Sequence, residues 1–224
     1  MDTFLKKIVW LIIIGPLIYL AIVWNRLPNK IAMHFDIHGN ADKYDTKNEF
    51  LLFIGIMLIV SIGVYLLLTN AYRIDPKKYA AENKDRLQKI AFSVVAFLCA
   101  IECFIIYIGI QGSLKLNIRF LFVLMGLFWA VIGNYMNNIR PNYFAGFRLP
   151  WTLENEDNWR YTHHLASKLW FAGGLLIALI CLFSSTTVSI VTFLSISLIV
   201  TVIPIVYSYR FYKKQKSQPP NQLS

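Results

Sequence analysis

Six stretches of this chain are too apolar and too regular in length for a water-soluble domain: 8–24, 50–69, 90–110, 118–136, 168–183 and 188–209. Each holds 16 to 22 residues, close to the roughly 20 that cross a hydrocarbon core of about 30 Å as a helix. In lipid an unpaired backbone group finds no water, so runs of this kind must be helical. With 57% apolar and only 15% charged residues, nearly all of the latter between the runs, the bilayer is the expected solvent. The expected fold is an all-α polytopic membrane protein with six transmembrane helices. Lys6 and Lys7 precede the first run as in a secretory leader, but Trp24-Asn25-Arg26-Leu27 offers no small-residue cleavage site. The first helix is therefore read as retained.

The net charge of +10 would point to nucleic acid in a soluble protein, but its distribution points to the membrane, with no direct nucleic-acid binding expected. If the N-terminus is cytoplasmic, sixteen of the 22 basic residues fall on the cytoplasmic side and six outside. The positive-inside rule favours that orientation, which also makes the C-terminus cytoplasmic. Cys99, Cys103 and Cys181 all lie in apolar runs and read as buried spectators.

The expected organisation is an N-terminal helical hairpin over 1–75 with an extracellular loop at 25–49, then a basic connector and third helix over 76–114. A module over 115–212 with a cytoplasmic loop at 137–167 follows, and then a disordered tail at 213–224. Asp75-Pro76 is a plausible helix start within the connector, which otherwise reads as a positive-inside link. In the cytoplasmic loop, Pro141, Gly146 and Pro150 exclude a regular helix over 142–152, so this stretch should fold back on the membrane surface. Asn155 reads as an N-cap with Glu156 and Asp157 in the first turn. Trp159, His163, Ala166 and Trp170 then mark one helical face leading into the fifth span.

The same loop carries a long ordered motif. Gly133-Asn134-Tyr135 is followed by Asn142-Tyr143-Phe144-Ala145-Gly146-Phe147-Arg148-Leu149-Pro150-Trp151-Thr152-Leu153, then Trp159 and Thr162-His163. This resembles the signature of the SdpI family of bacterial immunity membrane proteins, with Phe147 and Leu149 standing where Ile and Thr are expected. Upstream, Leu27-Pro28, Ile31, His34-Phe35, Gly39, Asp42, Tyr44 and Lys47 resemble the small domain of unknown function that often precedes it. The resemblance implies protection of a bacterium against a secreted, membrane-active peptide toxin at the cell membrane. In the founding case it also implies signalling, by holding a transcriptional repressor at the membrane. It directs attention to Asn142, Gly146, Arg148, Pro150, Trp151, Thr152, Trp159, Thr162 and His163 as ligand or partner-binding candidates. In the extracellular loop it points to His34, Gly39, Asp42 and Lys47.

Several side chains admit two readings. Arg148 can clamp a carboxylate or phosphate through its two-pronged guanidinium, or can contact lipid phosphate or pair with Glu154 or Glu156. His34, Asp36, His38 and Asp42 can be drawn as a metal cluster, but nothing aligns them on one face, and a turn at Gly39-Asn40 accounts for the segment. Neither a metal nor a cofactor is expected. Glu102, in the middle of the third run, is either functional or held by a neighbouring helix. No nucleophile elbow, zinc-protease motif or phosphate loop occurs, so a binding protein is expected rather than an enzyme. A small secondary transporter or pump for an amphipathic substrate is the alternative, motivated by Glu102 and by a shared P-N-x-x-A at Pro28 and Pro141. That shared motif suggests an inverted three-plus-three repeat.

Overall fold

The computed structural model describes residues 3–35, 40–112 and 118–217, with the side chains of 3–6 left aside. Among the described residues six helices are long and apolar enough to cross a membrane: α1 (Thr3–Val23), α2 (Lys47–Ile74), α3 (Lys84–Gln111), α4 (Ile118–Met136), α6 (Glu156–Phe183) and α7 (Thr186–Lys216). A short α5 (Pro150–Glu154) lies in the loop between α4 and α6. The chain is a multi-pass membrane protein.

Four spans continue well past their apolar runs. At 28 residues each, α2, α3 and α6 reach about 42 Å at about 1.5 Å per residue, so they carry polar turns beyond the hydrocarbon. Asp75 caps the C-terminus of α2, its N–H donating to the Ala71 carbonyl at 3.0 Å, and Pro76 stops that helix rather than starting one. Residues 213–216, expected to be disordered, continue α7.

The helices form two triplets joined mainly through α3 and α4. In the first triplet α3 is the middle helix, packing on both α1 and α2, which touch each other little. In the second the middle helix is α6, and α4 against α6 is the most extensive interface in the molecule. An inverted repeat would make α1–α2 the counterpart of α4–α6, so the helix pairing gives it no support.

The α4–α6 seam is built from small residues. A Cβ on Gly126 would fall 2.7 Å from the Gly174 carbonyl oxygen, and one on Gly133 would fall 2.5 Å from the Phe171 nitrogen. Lipid supplies no hydrophobic drive between helices, so this backbone approach is what allows the two to pack. Trp129 and Trp170 stack across the seam at 4.6 Å. Trp170 also resolves a backbone problem on α7. Pro204 lacks the N–H that would bond the Val200 carbonyl four residues back, and the Trp170 indole donates to that carbonyl at 3.2 Å.

At one end of the bundle the segment between α1 and α2 forms an antiparallel hairpin of β1 (Lys30–Phe35) and β2 (Ala41–Thr46), where the sequence suggested only a turn. Ile31 and Ala32 are buried, and Ile31 joins Leu20, Leu27, Phe50 and Ile106 in one cluster. Gly109 on α3 admits this contact, since a Cβ there would lie 3.1 Å from the Ile31 methyl. A capping box joins strand to helix: the Thr46 N–H donates to Glu49 Oε2 at 2.7 Å, and Thr46 Oγ1 accepts from the Glu49 N–H at 3.3 Å.

Candidate functional site: a clasped loop opposite the hairpin

At the other end of the bundle, residues 137–155 form a compact loop held by side chains from three directions. Asn142 organises its turn from within. Its buried amide donates to the carbonyls of Arg140 (2.8 Å) and Ala145 (3.1 Å) and accepts from the N–H groups of Phe144 (2.9 Å) and Ala145 (2.7 Å). The turn thereby satisfies its own backbone, as a buried non-helical segment must.

His163, one turn beyond Trp159 on α6, supports the loop from below. The Phe147 N–H donates to its Nε2 at 2.9 Å, so its proton sits on Nδ1, which faces the Trp159 carbonyl at 2.8 Å. Its ring stacks on the Trp159 indole at 3.9 Å, and that indole donates to the Ile139 carbonyl at 2.7 Å. The chain passes over this imidazole so closely that only glycine fits: Gly146 has φ +107°, and a Cβ there would lie 2.2 Å from Nε2.

Thr152 closes the loop's far side. Its hydroxyl donates toward the Phe147 and Leu149 carbonyls (2.7 and 2.9 Å) and accepts from the Leu149 N–H at 3.0 Å. Pro150 opens α5, where its missing N–H is no loss. Trp151 donates to Ser208 of α7 at 3.0 Å and packs against Tyr209 and Tyr212. Thr162 donates to Asn158 (3.0 Å), whose own amide reaches the Ser208 carbonyl at 3.0 Å. Asn155 caps α6 as its position suggested, accepting from the Asn158 N–H at 2.7 Å.

The connector between α2 and α3, read from sequence as a plain basic link, is the third support. Asn83 is fully buried and uses both ends of its amide on Arg140, accepting from the N–H at 2.9 Å and donating to the carbonyl at 3.1 Å. Asp75 accepts from the Tyr143 N–H at 3.1 Å, and Lys77 donates to the Leu153 carbonyl at 2.7 Å. Asp75, Lys77, Asn83, Asn158 and Ser208 were missed in the sequence because no motif ties them to partners 50 to 76 residues away. Their polarity beside apolar helix ends was the one available signal. Asn83→Ala is expected to cost about 1–3 kcal/mol, read as a lowered thermal midpoint in micelles with faster proteolysis within 137–149. An unchanged midpoint would mean that the connector merely lies beside the loop.

Of the nine loop candidates, Asn142, Thr152, Trp159, Thr162 and His163 are buried and occupied within the clasp. Arg148 is exposed on its rim beside exposed Tyr143, whose carbonyl takes one guanidinium hydrogen bond at 2.6 Å. Among the described residues Arg148 pairs with neither Glu154 nor Glu156, which leaves most of its fork outward. At the hairpin end, His34 pairs with Asp42 and both are exposed. Lys47 lies over the Trp24 ring and donates to the Trp24 carbonyl at 3.4 Å. Asp36, His38 and Gly39 lie outside the described residues, and no three possible metal ligands converge among those described. Glu102 is fully buried in the first triplet. Ser61 of α2 donates to its Oε1 at 3.0 Å, and its Oε2 has no partner among the described residues.

Residues 138–208, which contain the clasped loop, α6 and most of α7, match the SdpI/YfhL protein family. Residues 11–59, which contain the hairpin between parts of α1 and α2, match a domain of unknown function, DUF1648. The immunity protein SdpI of Bacillus subtilis (strain 168) is 27% identical over 214 residues, covering 94% of this chain and 98% of that protein. No solved structure matches. The resemblance read from the loop motif therefore holds: residues 138–208 are similar to the SdpI/YfhL protein family and residues 11–59 to DUF1648.

Proposed function

We propose that this protein is a membrane immunity protein that protects a bacterium against a secreted, membrane-active peptide toxin, acting by binding. The observation that carries this reading is the similarity to immunity protein SdpI across nearly the whole of both chains, hairpin and clasp included. The charge distribution orients the hairpin outward, where it meets the peptide, and the clasp toward the cytoplasm. There Arg148 and Tyr143 offer a rim to a cytoplasmic partner, a transcriptional repressor being one such partner. Binding rather than catalysis fits the loop chemistry, because the His163 nitrogens and the Thr152 hydroxyl are already committed to the backbone.

The test is survival of a sensitive bacterium that makes this chain when it is exposed to the toxic peptide secreted by the chain's own host. Wild type is expected to protect. Arg148→Lys is expected to fail nearly as badly as Arg148→Ala at equal membrane levels, because an ammonium cannot reproduce the fork. Absence of protection by wild type would overturn the immunity reading, and full protection by Arg148→Ala would reduce that residue to a topology charge. Oε2 of Glu102, without a partner among the described residues, favours one second reading, proton-coupled export of the peptide. Export would require a titrating carboxyl, so protection by Glu102→Gln at the wild-type level contradicts it, while loss of protection by a well-inserted Glu102→Gln supports it.

A further inference from the structure

A cavity of about 370 Å³ opens beside the clasp, between the N-terminal turn of α3, the end of α4 and the first turns of α6. It is lined by Arg86, Arg140 and Arg160 together with Asn137 and Asn138, and the Asn137 amide oxygen also pairs with His164 Nδ1 at 2.6 Å. Two of the three are compensated. Arg140 pairs with Glu82 at 3.3 Å, and Arg160 with Asp157 at 2.8 Å. Glu156, the other carboxylate on the wall, takes a hydrogen bond from the Tyr79 hydroxyl at 3.1 Å. Lys78 stands near enough to Glu156 for its ammonium to be favoured by that carboxylate as well as by Tyr79.

Arg86 is left over. It is partly buried, and among the described residues it makes no ion pair or hydrogen bond. Its guanidinium nitrogens keep contact with solvent, and five N–H donors on the wall of a polar cavity form a seat for an oxyanion.

We propose that this cavity is a binding site for a phosphate group, held principally by Arg86 with Arg140 and the two asparagine amides around it. The phosphate belongs either to an anionic phospholipid headgroup or to a free phosphate in solution. A tetrahedral phosphate presents several oxygens at once to donors arriving from α3 and from the segment that follows α4, which a single carboxylate does not. Its occupant would bridge the start of α3 and the segment that follows α4, and so would brace the clasp.

The experiment uses the full chain purified in a neutral detergent. Thermal unfolding is followed with inorganic phosphate against chloride at equal ionic strength. Lipid retention is then read by native mass spectrometry after reconstitution into phosphatidylcholine nanodiscs with or without phosphatidylglycerol. Wild type should be stabilised by at least one of the two probes, and Arg86→Gln should weaken that binding about tenfold, with Arg86→Lys between them. Lys213→Gln, at the end of α7 and away from the cavity, should bind as wild type does. Stabilisation by inorganic phosphate in detergent marks a soluble ligand, and retention of phosphatidylglycerol without it marks a headgroup. The proposal is overturned if neither probe binds, if Arg86→Gln binds as well as wild type, or if Lys213→Gln loses as much as Arg86→Gln. It is also overturned if a polyglutamate peptide competes better than either phosphate probe.

Discussion

Gly146→Ala is expected to open the clasp. An alanine at φ +107° is strained in its own backbone, and its Cβ would lie 2.2 Å from His163 Nε2. The imidazole cannot yield cheaply, because it is stacked on Trp159 and bonded through both nitrogens. Strain and overlap together should cost about 3 kcal/mol or more, seen as a large fall in the thermal midpoint and rapid proteolysis within 137–149. Gly112→Ala separates the two causes. That glycine also has positive φ, at +66°, but nothing lies within 4 Å of where a Cβ would stand, so only the smaller backbone penalty, about 1 kcal/mol, should appear.

Gly174→Leu should have the other large effect. A Cβ at this position would sit 2.4 Å from the Gly126 carbonyl oxygen and 2.5 Å from the Ala130 nitrogen, so the obstruction is backbone that no rotamer change relieves. Separating α4 from α6 removes the contact on which the second triplet is built. Extraction in mild detergent should give aggregated protein where wild type gives a single symmetric peak in size-exclusion chromatography. Gly63→Leu on α2 has open space around it and should elute as wild type does. A monodisperse Gly174→Leu protein would show that the helices can pack without this approach.

The number and order of the spans were legible because charged segments separate the apolar runs, except between the fifth and sixth, where Ser184-Ser185-Thr186-Thr187 alone marks the break. Helix length was not, since the polar turns at Lys84–Lys89 and Glu156–Ser167 belong to continuous helices whose outer ends leave the hydrocarbon. The hairpin escaped for a different reason. β2 is exposed along most of its length, so Ala41–Thr46 shows none of the alternation that marks a half-buried strand. The small-residue seam was visible in principle as Gly126 and Ala130 facing Gly174 and Ala178, four residues apart in each helix. In the loop, the motif displayed Asn142, Gly146, Thr152 and His163, but their partners are backbone groups, and backbone groups leave no mark in a sequence. Asn83 and Asp75 hold the loop from a segment whose charge had a simpler explanation, the positive-inside bias.

The inverted repeat failed to find support for a related reason. Pro28 and Pro141 open similar pentapeptides, yet the first leads into a β-hairpin and the second into a turn wrapped around Asn142. Three identities in five residues do not determine a backbone path when the packing on either side differs.

The central claim is that the molecule has two built ends in different compartments, the hairpin facing outward and the clasp facing the cytoplasm. Single cysteines in a background lacking Cys99, Cys103 and Cys181 test it directly, one replacing exposed Asn40 at the hairpin and one replacing exposed Glu154 at the clasp. In intact cells a membrane-impermeant maleimide is predicted to label the Asn40→Cys protein and to leave Glu154→Cys unlabelled until the membrane is opened. Labelling of Glu154→Cys but not Asn40→Cys in intact cells would invert the molecule, place the clasp outside, and contradict the account.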